Sequence, residues 1–380
     1  MRVKVLTHTP EPEKTVAAAA RLCYSNAGAC EIMENLTEEK ISSFIQKLMD
    51  MGHMSPTEHV TFTFAIEGVS RTLLAQLTRH RIASYSVQSL RYNNPFKEEL
   101  KKEDETEAAK LKSENETYLK GFLYAGGEKA LYKSFIEESG VLPALPEEIP
   151  EENLSHYVRG IFDAAGEISN GSFTISFPGT FSSILARTPF KFTAEGERLL
   201  LSGKDAVDFC LHIYGGVDFA GSLFLREKLV ELCTRSADFF SGIKKQAEDY
   251  IAYRYYCVLP QAVANNPEAL LVYIDALETC KKSYLAMVKM GIDREDARYV
   301  LPMGTRTNLV VTMNVRSLYN FFNLRCCERA QTEIRELARM MLAEVKKIAP
   351  NLFKKAGAPC EATGYCPEGE LSCGRYPVRN

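Results

Sequence analysis

The chain has 380 residues, a formal net charge of −3, and a composition that is 46% hydrophobic and 25% charged. These values are typical of a folded protein of two or three domains, and they exclude disordered, collagen-like and coiled-coil classes. No run of 18 apolar residues occurs, and the start, MRVKVLTHTP, lacks the apolar stretch of a signal peptide. We therefore expect a cytoplasmic protein whose eleven cysteines are reduced.

Residues 1–92 alternate between strand and helix patterns. VKVLTH and HVTFTFAIEG predict strands, whereas PEKTVAAAARLCY and EEKISSFIQKLMDMG predict helices. SRTLLAQLTRHR is typical of a helix that Ser70 caps at its N-terminus. The segment therefore predicts a mixed α+β fold.

The pattern changes after Tyr92. A charge-dense stretch, NNPFKEELKKEDETEAAKLKSENE, indicates a linker or an exposed helix. From residue 253 onward, PEALLVYIDALETCKKSYLAMVKMG predicts a helix that stops at Gly291, and SLYNFFNLRCCERAQTEIRELARMMLAEVKKIAP predicts a second that ends at Pro350. We expect a discontinuous domain formed by 1–92 and 253–355, a middle domain at 93–252, and a C-terminal tail at 356–380.

Charge separates the same segments. Residues 93–252 hold 18 Lys and Arg against 27 Asp and Glu, a net charge of −9, and the rest of the chain carries +6. The outer segments therefore suit anionic ligands, and the middle segment does not.

The densest group of hydrogen-bond donors lies at 79–91, with three arginines, one histidine and three serines. Arginine binds phosphate through a planar two-pronged fork, and serine adds short neutral donors. A second donor-rich segment starts at Asn314, and Arg298 marks a third. Pairing with surface acids is the alternative for any single arginine, but 79–92 contains no carboxylate. The pattern predicts a site for phosphorylated ligands.

Four blocks of this sequence resemble the motifs of flavin-dependent thymidylate synthases. Arg79-His80-Arg81 followed after seven residues by Ser89 is similar to the family signature, and GHMSPTEH at 52–59 is similar to its GHxSxxEH element. ARYVLP at 297–302 and NVRSLYNFFNLR at 314–325 resemble two further blocks in the same order. Together they extend over 1–92 and 253–350.

The resemblance implies the reductive methylation of dUMP to dTMP. Methylenetetrahydrofolate would supply the carbon, NADPH would reduce FAD, and the flavin would supply the hydride. Arg325 matches the arginine that favours ionisation of the uracil, a role that suits a fixed cation. The resemblance also implies a core of helices with a central, mostly antiparallel sheet, and a homotetramer with sites shared between subunits. A membrane is not expected as a partner, because no long apolar run occurs, and a nucleic acid is not expected, because the basic residues lie in scattered blocks.

The resemblance assigns further residues to ligands by position in the motifs. The residues expected to bind dUMP are Gln76, Arg79, Ser89, Arg91, Arg298 and Arg325. The residues expected to bind FAD are Ser55, Arg79, His80, Arg81, Asn314, Arg316 and Asn320. His53 matches a residue of the folate and flavin stack. No metal ligand is expected.

Three departures from the family pattern occur. Val87 stands where a polar side chain is common, and Arg329 stands where a histidine is common. The middle segment also follows directly after Arg91, and a second Arg-Tyr pair at Arg254 leaves open which arginine reaches the phosphate. A flavin- and dUMP-binding protein whose activity the insertion impairs is therefore one alternative, and a nucleic-acid-binding protein derived from an endonuclease is another.

The middle segment contains GIFDAAGE at 160–167, a predicted helix end followed by a strand. This pattern resembles the LAGLIDADG motif of homing endonucleases, and RLLLSGKDAVDFCLHIYGG resembles the strand and helix that follow it. The resemblance places Ala165 where that family has its metal-binding acid, so we expect an inactive, endonuclease-like insertion. An unrelated α+β insertion is the alternative.

Three of the eleven cysteines, Cys360, Cys366 and Cys373, lie in the tail, and Cys326 and Cys327 are adjacent. Four thiolates would suit zinc, but the closely spaced CxxC pairs of zinc motifs are absent. The pattern therefore favours reduced thiols that pack the tail against a neighbouring subunit, with zinc as the alternative.

Overall fold

The structure is a computed structural model that describes residues 1–97, 105–169 and 173–378. Residues 98–104 of the predicted charged linker lie outside the described residues. The chain divides into two compact units. One contains Met1–Asn94 and Pro302–Asn380, and the other contains Pro95–Leu301.

The described residues form helices and strands that alternate along the chain. The strands are β1 (Arg2–His8), β2 (Thr61–Ser70), β3 (Ser84–Val87), β4 (Glu167–Ser169), β5 (Thr174–Pro178), β6 (Thr193–Glu195), β7 (Arg198–Ser202) and β8 (Arg306–Asn314). The helices are α1 (Pro12–Leu22), α2 (Ala29–Asn35), α3 (Glu38–Asp50), α4 (Arg71–Leu77), α5 (Glu105–Tyr124), α6 (Lys133–Ser139), α7 (Leu154–Ala165), α8 (Ser182–Leu185), α9 (Gly203–Tyr214), α10 (Arg226–Arg235), α11 (Ala237–Arg254), α12 (Gln261–Ala264), α13 (Pro267–Lys289), α14 (Arg294–Ala297), α15 (Val315–Arg325), α16 (Thr332–Ile348) and α17 (Pro359–Thr363).

The first unit is built on an antiparallel sheet with strand order β1-β2-β8-β3. Alternate residues of β2, namely Phe62, Phe64 and Ile66, are fully buried, because successive side chains of a strand point to opposite faces. The register between β2 and β8 shifts at Gly68, whose φ of 72° favours glycine. This unit confirms the predicted α+β class and its antiparallel sheet.

Two predicted helices of this unit end differently from expectation. The helix that Ser70 caps stops at Leu77, so Arg79, His80 and Arg81 lie in the connection to β3 rather than on the helix. The single helix predicted to reach Pro350 is two helices, α15 and α16. The break has a local cause, because the Gln331 side chain accepts hydrogen bonds from the backbone N–H groups of Glu333 and Ile334 and so starts α16.

The second unit has its own antiparallel sheet, in the order β4-β5-β7-β6, and its own apolar core. Helices α7, α9, α11 and α13 supply much of that core. Residues 253–301, which the sequence placed with the outer segments, pack in this unit, because Leu270, Ile274 and Leu277 of α13 are buried in its core. The predicted boundary at residue 252 therefore differs from the division by packing.

Helices α5 and α7 cross at two glycines. A Cβ atom at Gly121 would lie 2.1 Å from the carbonyl oxygen of Tyr157, and one at Gly160 would lie 2.1 Å from that of Tyr118. The two contacts are mutually symmetric, because each glycine follows its tyrosine by three residues. The sequences match as well, YLKGFLYAGGE at 118–128 and YVRGIFDAAGE at 157–167. The helices α5 and α7 therefore carry two copies of one sequence pattern, which motif reading of a single segment missed.

No helix in the described part of the chain combines the length and the apolar character needed to cross a bilayer.

Candidate active site

Strand β8 brings three of the sequence blocks together in the first unit. It pairs with β2, which follows the block at 52–59, and with β3, which follows Arg79-His80-Arg81. Its last residue, Asn314, then caps α15, because the Asn314 carboxamide accepts a hydrogen bond from the Ser317 N–H at 2.8 Å. The helix that carries Arg316, Asn320 and Arg325 therefore starts at the end of the central strand.

The connection that holds Arg79-His80-Arg81 is fixed by a tyrosine that sequence reasoning did not single out. The Tyr85 hydroxyl lies 2.9 Å from the carbonyl oxygen of Leu77 and 2.8 Å from that of His80. Burial raises the pKa of Tyr85 to about 12, so the hydroxyl remains a donor at neutral pH. An aromatic residue in the middle of the donor-rich segment at 79–91 was the available signal.

His80 and Arg325, which are 245 positions apart, meet in the structure. The Arg325 Nε–H donates to His80 Nε2 at 3.3 Å, and the imidazole packs edge-on against Phe321 with ring centroids 5.0 Å apart. Burial and then the Arg325 charge lower the pKa of His80 to about 4. The imidazole is therefore neutral at physiological pH and can accept the hydrogen bond from the guanidinium.

The site carries more positive charge than its own carboxylates offset. Arg79 and Arg81 are exposed, and among the described residues no carboxylate forms an ion pair with either. Arg316 does have a partner, because its guanidinium pairs with the Glu58 carboxylate of the GHMSPTEH block. Burial and the nearby Arg79 lower the pKa of Arg325. The excess of cations suits a ligand with more than one negative charge.

The remaining predicted residues of the first unit lie on the elements around this cluster. Ser55 begins a 3-10 turn at Ser55–His59, and His53 is half-buried with its ring edge-on to Tyr24 at 6.5 Å. Gln76 lies in the last turn of α4, and Asn320 is exposed on α15. The Ser89 hydroxyl accepts a hydrogen bond from the Arg91 N–H at 3.2 Å.

Two arginines of the prediction lie in the second unit. Arg298 is half-buried beside Glu295, with 3.8 Å between their charged groups. Arg254 lies between two carboxylates of its own unit, 3.4 Å from Asp218 and 3.3 Å from Glu278. Which of Arg91 and Arg254 contacts the phosphate stays a prediction. Arg91 is exposed and its guanidinium lies 5.6 Å from the ring centre of Tyr92.

Comparison with known proteins identifies the family. The model of the family "Thymidylate synthase complementing protein" matches residues 4–154 and 211–351, most of the chain. The flavin-dependent thymidylate synthase of Clostridium tetani is 34% identical over 375 residues, which cover 99% of this chain and 94% of the relative. That of Geobacter sulfurreducens is 30% identical over 375 residues, with the same shares covered.

A solved structure is also similar to the chain. It is the flavin-dependent thymidylate synthase of Helicobacter pylori in complex with FAD and dUMP, at 18% identity and a TM-score of 0.44. The match covers 94% of this chain and all of that chain.

The family match leaves out residues 155–210, which include GIFDAAGE and most of RLLLSGKDAVDFCLHIYGG, and it covers the rest of the predicted insertion, namely 93–154 and 211–252. These comparisons supply no support for a LAGLIDADG domain, and that part of the prediction stays a prediction. The match on both sides of 155–210 and the two relatives agree on the enzyme class. The chain therefore belongs to the family of flavin-dependent thymidylate synthases, enzymes that methylate dUMP to dTMP, and this confirms the activity predicted from the four sequence blocks.

Proposed function

We propose that the residues around His80 and Arg325 bind dUMP and FAD in the roles that their motif positions imply. Methylenetetrahydrofolate is the carbon donor and NADPH the reductant of this scheme. The dUMP-binding residues are Gln76, Arg79, Ser89, Arg91 and Arg325 of the first unit, and Arg298 is assigned to dUMP by its motif position alone. The FAD-binding residues are Ser55, Arg79, His80, Arg81, Asn314, Arg316 and Asn320, with His53 at the folate and flavin stack.

The observation that carries this proposal is the contact between Arg325 and His80, next to Arg79 and Arg81, for which the described part of the chain supplies no carboxylate partner. FAD and dUMP both carry phosphate, which guanidinium groups bind through paired hydrogen bonds. Arg79 and Arg81 are exposed, so they are accessible to such ligands without first breaking an internal ion pair. The donor set therefore fits the two anionic ligands that the family name and the four blocks indicate.

Arg325 has the chemistry to activate the pyrimidine. Its Nε–H is engaged by His80, which leaves the two terminal nitrogens of the guanidinium for a ligand. A cation held against the uracil stabilises negative charge that develops on the ring during attack on the carbon donor. Neutral His80 holds the guanidinium without adding a competing charge. Reduced FAD, when bound, supplies the hydride that completes the methyl group.

We further propose a homotetramer with sites shared between subunits. Three apolar side chains beside site residues are exposed in the single chain, Ile82 at 74%, Tyr92 at 81% and Leu324 at 55% of their surface. We propose that these side chains form part of a surface that a neighbouring subunit covers. Each of the three adjoins a proposed ligand-binding arginine in sequence, namely Arg81, Arg91 and Arg325. We also propose that the protein is cytoplasmic, because its eleven cysteines are free and a cytoplasm keeps thiols reduced.

The domain proposal keeps the order expected from the sequence, with 1–92 and 253–355 as the synthase core, 93–252 as an endonuclease-like insertion, and 356–380 as the tail. The crossing of α5 and α7 at Gly121 and Gly160 supports a duplicated LAGLIDADG-like helix pair. The repeat places Gly126 and Ala165 at equivalent positions, so neither copy supplies the metal-binding acid.

The remaining acid of the second copy is not available to a metal ion. Asp163 is buried and accepts hydrogen bonds from the hydroxyls of Tyr118 and Tyr214 and from the Leu225 N–H. We therefore expect no nicking of supercoiled plasmid DNA in the presence of magnesium or manganese. Nicking that depends on the metal and disappears when 93–252 is deleted would contradict this assignment.

Binding measurements test the residue assignments. Arg325→Ala should weaken dUMP binding and abolish turnover, whereas Arg81→Ala should weaken FAD binding more than dUMP binding. Arg2→Ala is the matched control, because Arg2 is an exposed arginine of the same unit. Its ion pair with Glu67, 3.7 Å between the charged groups, is also exposed and therefore weak. Equal binding of both ligands by Arg325→Ala and Arg2→Ala would contradict the proposed site.

A further inference from the structure

Asn308 of β8 lies opposite the irregularity in the sheet of the first unit. Between Ile66 and Val69 the register of β2 shifts against β8, so that two residues of β2 face Asn308. A bulge of this kind leaves a backbone N–H group of the longer strand without a partner in the ladder. The Asn308 side chain supplies that partner, because its Oδ1 accepts a hydrogen bond from the Gly68 N–H at 2.9 Å.

The other half of the Asn308 carboxamide holds Gln88, the residue directly after β3. A backbone N–H can only donate, so the contact with Gly68 fixes the orientation of the amide. Its Nδ2 then donates to Gln88 Oε1 at 3.0 Å, and the Gln88 N–H donates to the Asn308 carbonyl oxygen at 2.9 Å. The Gln88 carbonyl accepts from Arg71 and Thr307 only at 3.4 and 3.5 Å. Asn308 therefore makes the shorter contacts to Gln88, through backbone and side chain alike.

The chain turns away from the sheet directly after Gln88. The Asn93 N–H donates to the Ser89 carbonyl oxygen at 3.0 Å, and the Arg91 N–H donates to the Ser89 hydroxyl at 3.2 Å. Strand β3 lies at the edge of the sheet, with β8 as its neighbour, so β8 determines where this turn begins. The position of the Ser89 hydroxyl therefore depends on how Gln88 is held.

We propose that Asn308 is a positioning residue for dUMP, which acts through Gln88 on Ser89. The proposal rests on the proposed function, because it takes Ser89 as a dUMP-binding residue. Asn308 lies outside the four sequence blocks, between the block at 297–302 and the block at 314–325. Its role follows from the two contacts of its carboxamide, one with the bulge and one with the residue before Ser89.

Two substitutions separate this role from simple support of the bulge. Asn308→Leu is similar in size and removes both side-chain hydrogen bonds. Gln88→Leu removes only the bond between the two side chains and leaves the contact of Asn308 with Gly68 in place, so the bulge keeps its support. A hydrogen bond between neutral groups changes an equilibrium constant by roughly two- to tenfold. We expect each substitution to raise the dissociation constant of dUMP by about three- to tenfold.

Calorimetric titration of the FAD-loaded chain with dUMP tests the proposal, together with kcat and KM. The KM for dUMP should rise with the dissociation constant, whereas kcat and the affinity for FAD should not change. The double variant Asn308→Leu/Gln88→Leu should bind dUMP no more weakly than Asn308→Leu, since both substitutions remove the same interaction. Thr312→Val is the matched control on β8, because it removes the 2.9 Å hydroxyl contact with Thr63 of β2 and should leave dUMP affinity unchanged.

Three results would overturn the proposal. They are unchanged dUMP affinity in Asn308→Leu and Gln88→Leu, additive losses in the double variant, and a loss of FAD affinity as large as that of dUMP affinity. Ser89→Ala distinguishes this failure from that of the proposed function. If Ser89→Ala weakens dUMP binding and Asn308→Leu does not, only the role of Asn308 is wrong. If Ser89→Ala binds dUMP as the unchanged chain does, the assignment of Ser89 is wrong and the role of Asn308 falls with it.

Discussion

The hydrogen bond between Arg325 and His80 gives the account a quantitative test. His80→Phe removes the acceptor and keeps an aromatic ring against Phe321, whereas His80→Gln keeps an acceptor near the position of Nε2. A hydrogen bond to a charged group contributes about 1.5–3 kcal/mol. The 3.3 Å separation lies just beyond the usual 2.7–3.2 Å range, so the low end applies. We therefore expect His80→Phe to lower kcat/KM for dUMP by about tenfold.

The assay is tritium release from 5-tritiated dUMP, measured between pH 6 and 9, together with the affinity for FAD. Because the pKa of His80 is about 4, the imidazole stays neutral over this range and the loss in His80→Phe should not vary with pH. His80→Gln should recover most of the activity. In an Arg325→Ala background, His80→Phe should cause no further loss in dUMP affinity, since both substitutions remove the same interaction.

Equal losses in His80→Phe and His80→Gln would refute this reasoning, because they would show that the acceptor is irrelevant. A loss confined to FAD affinity would refute it as well, since it would assign His80 to the flavin alone.

The remaining predictions concern stability and packing. Burial lowers the pKa of both His80 and His156 from 6.5 to about 4, so protonation favours the unfolded chain. The melting temperature should therefore fall as the pH drops from about 6.5 to about 4. An unchanged melting temperature would contradict this. Gly160→Ala places a Cβ 2.1 Å from the carbonyl oxygen of Tyr118 and should lower the unfolding free energy of the second unit by about 3 kcal/mol, the upper end of the usual range for overpacking. Gly28→Ala, with nothing within 4 Å of its Cβ, should show no such loss in thermal unfolding. Ser70→Ala removes the N-terminal cap of α4 and the hydroxyl that donates a hydrogen bond to the Glu333 carboxylate. It should lower the unfolding free energy by about 1–2 kcal/mol relative to Ser86→Ala, an exposed control. Equal stabilities of the two variants would show that the cap is not needed.

Elements with a strong local pattern were predictable from the sequence. The alternation in β2 and the apolar spacing of α3 lie within single segments, and the Ser70 cap is read from neighbouring residues. The long C-terminal helix was predicted as continuous because its apolar spacing continues across the break. The interruption depends on the Gln331 side chain, which adopts a capping position rather than a helical one.

The motifs predict which residues belong to the site, but they do not predict which of those residues contact one another. The motifs name His80 and Arg325 separately, but spacing does not show that two residues 245 positions apart share a hydrogen bond. The same limit applies to Cys327 and the tail cysteines, since only the folded chain shows the cavity that they line. The Glu58 and Arg316 pair also joins two blocks that the sequence separates by 258 positions.

The measurement that tests the central claim most directly is tritium release from 5-tritiated dUMP by the purified chain with FAD, NADPH and methylenetetrahydrofolate. The account predicts release that requires the folate, is followed by dTMP, and is lost in Arg325→Ala while Arg2→Ala retains it. Absence of release from a chain that still binds FAD and dUMP would contradict the claim and favour a binding protein impaired by its insertion. Release that persists unchanged in Arg325→Ala would contradict the role proposed for that arginine.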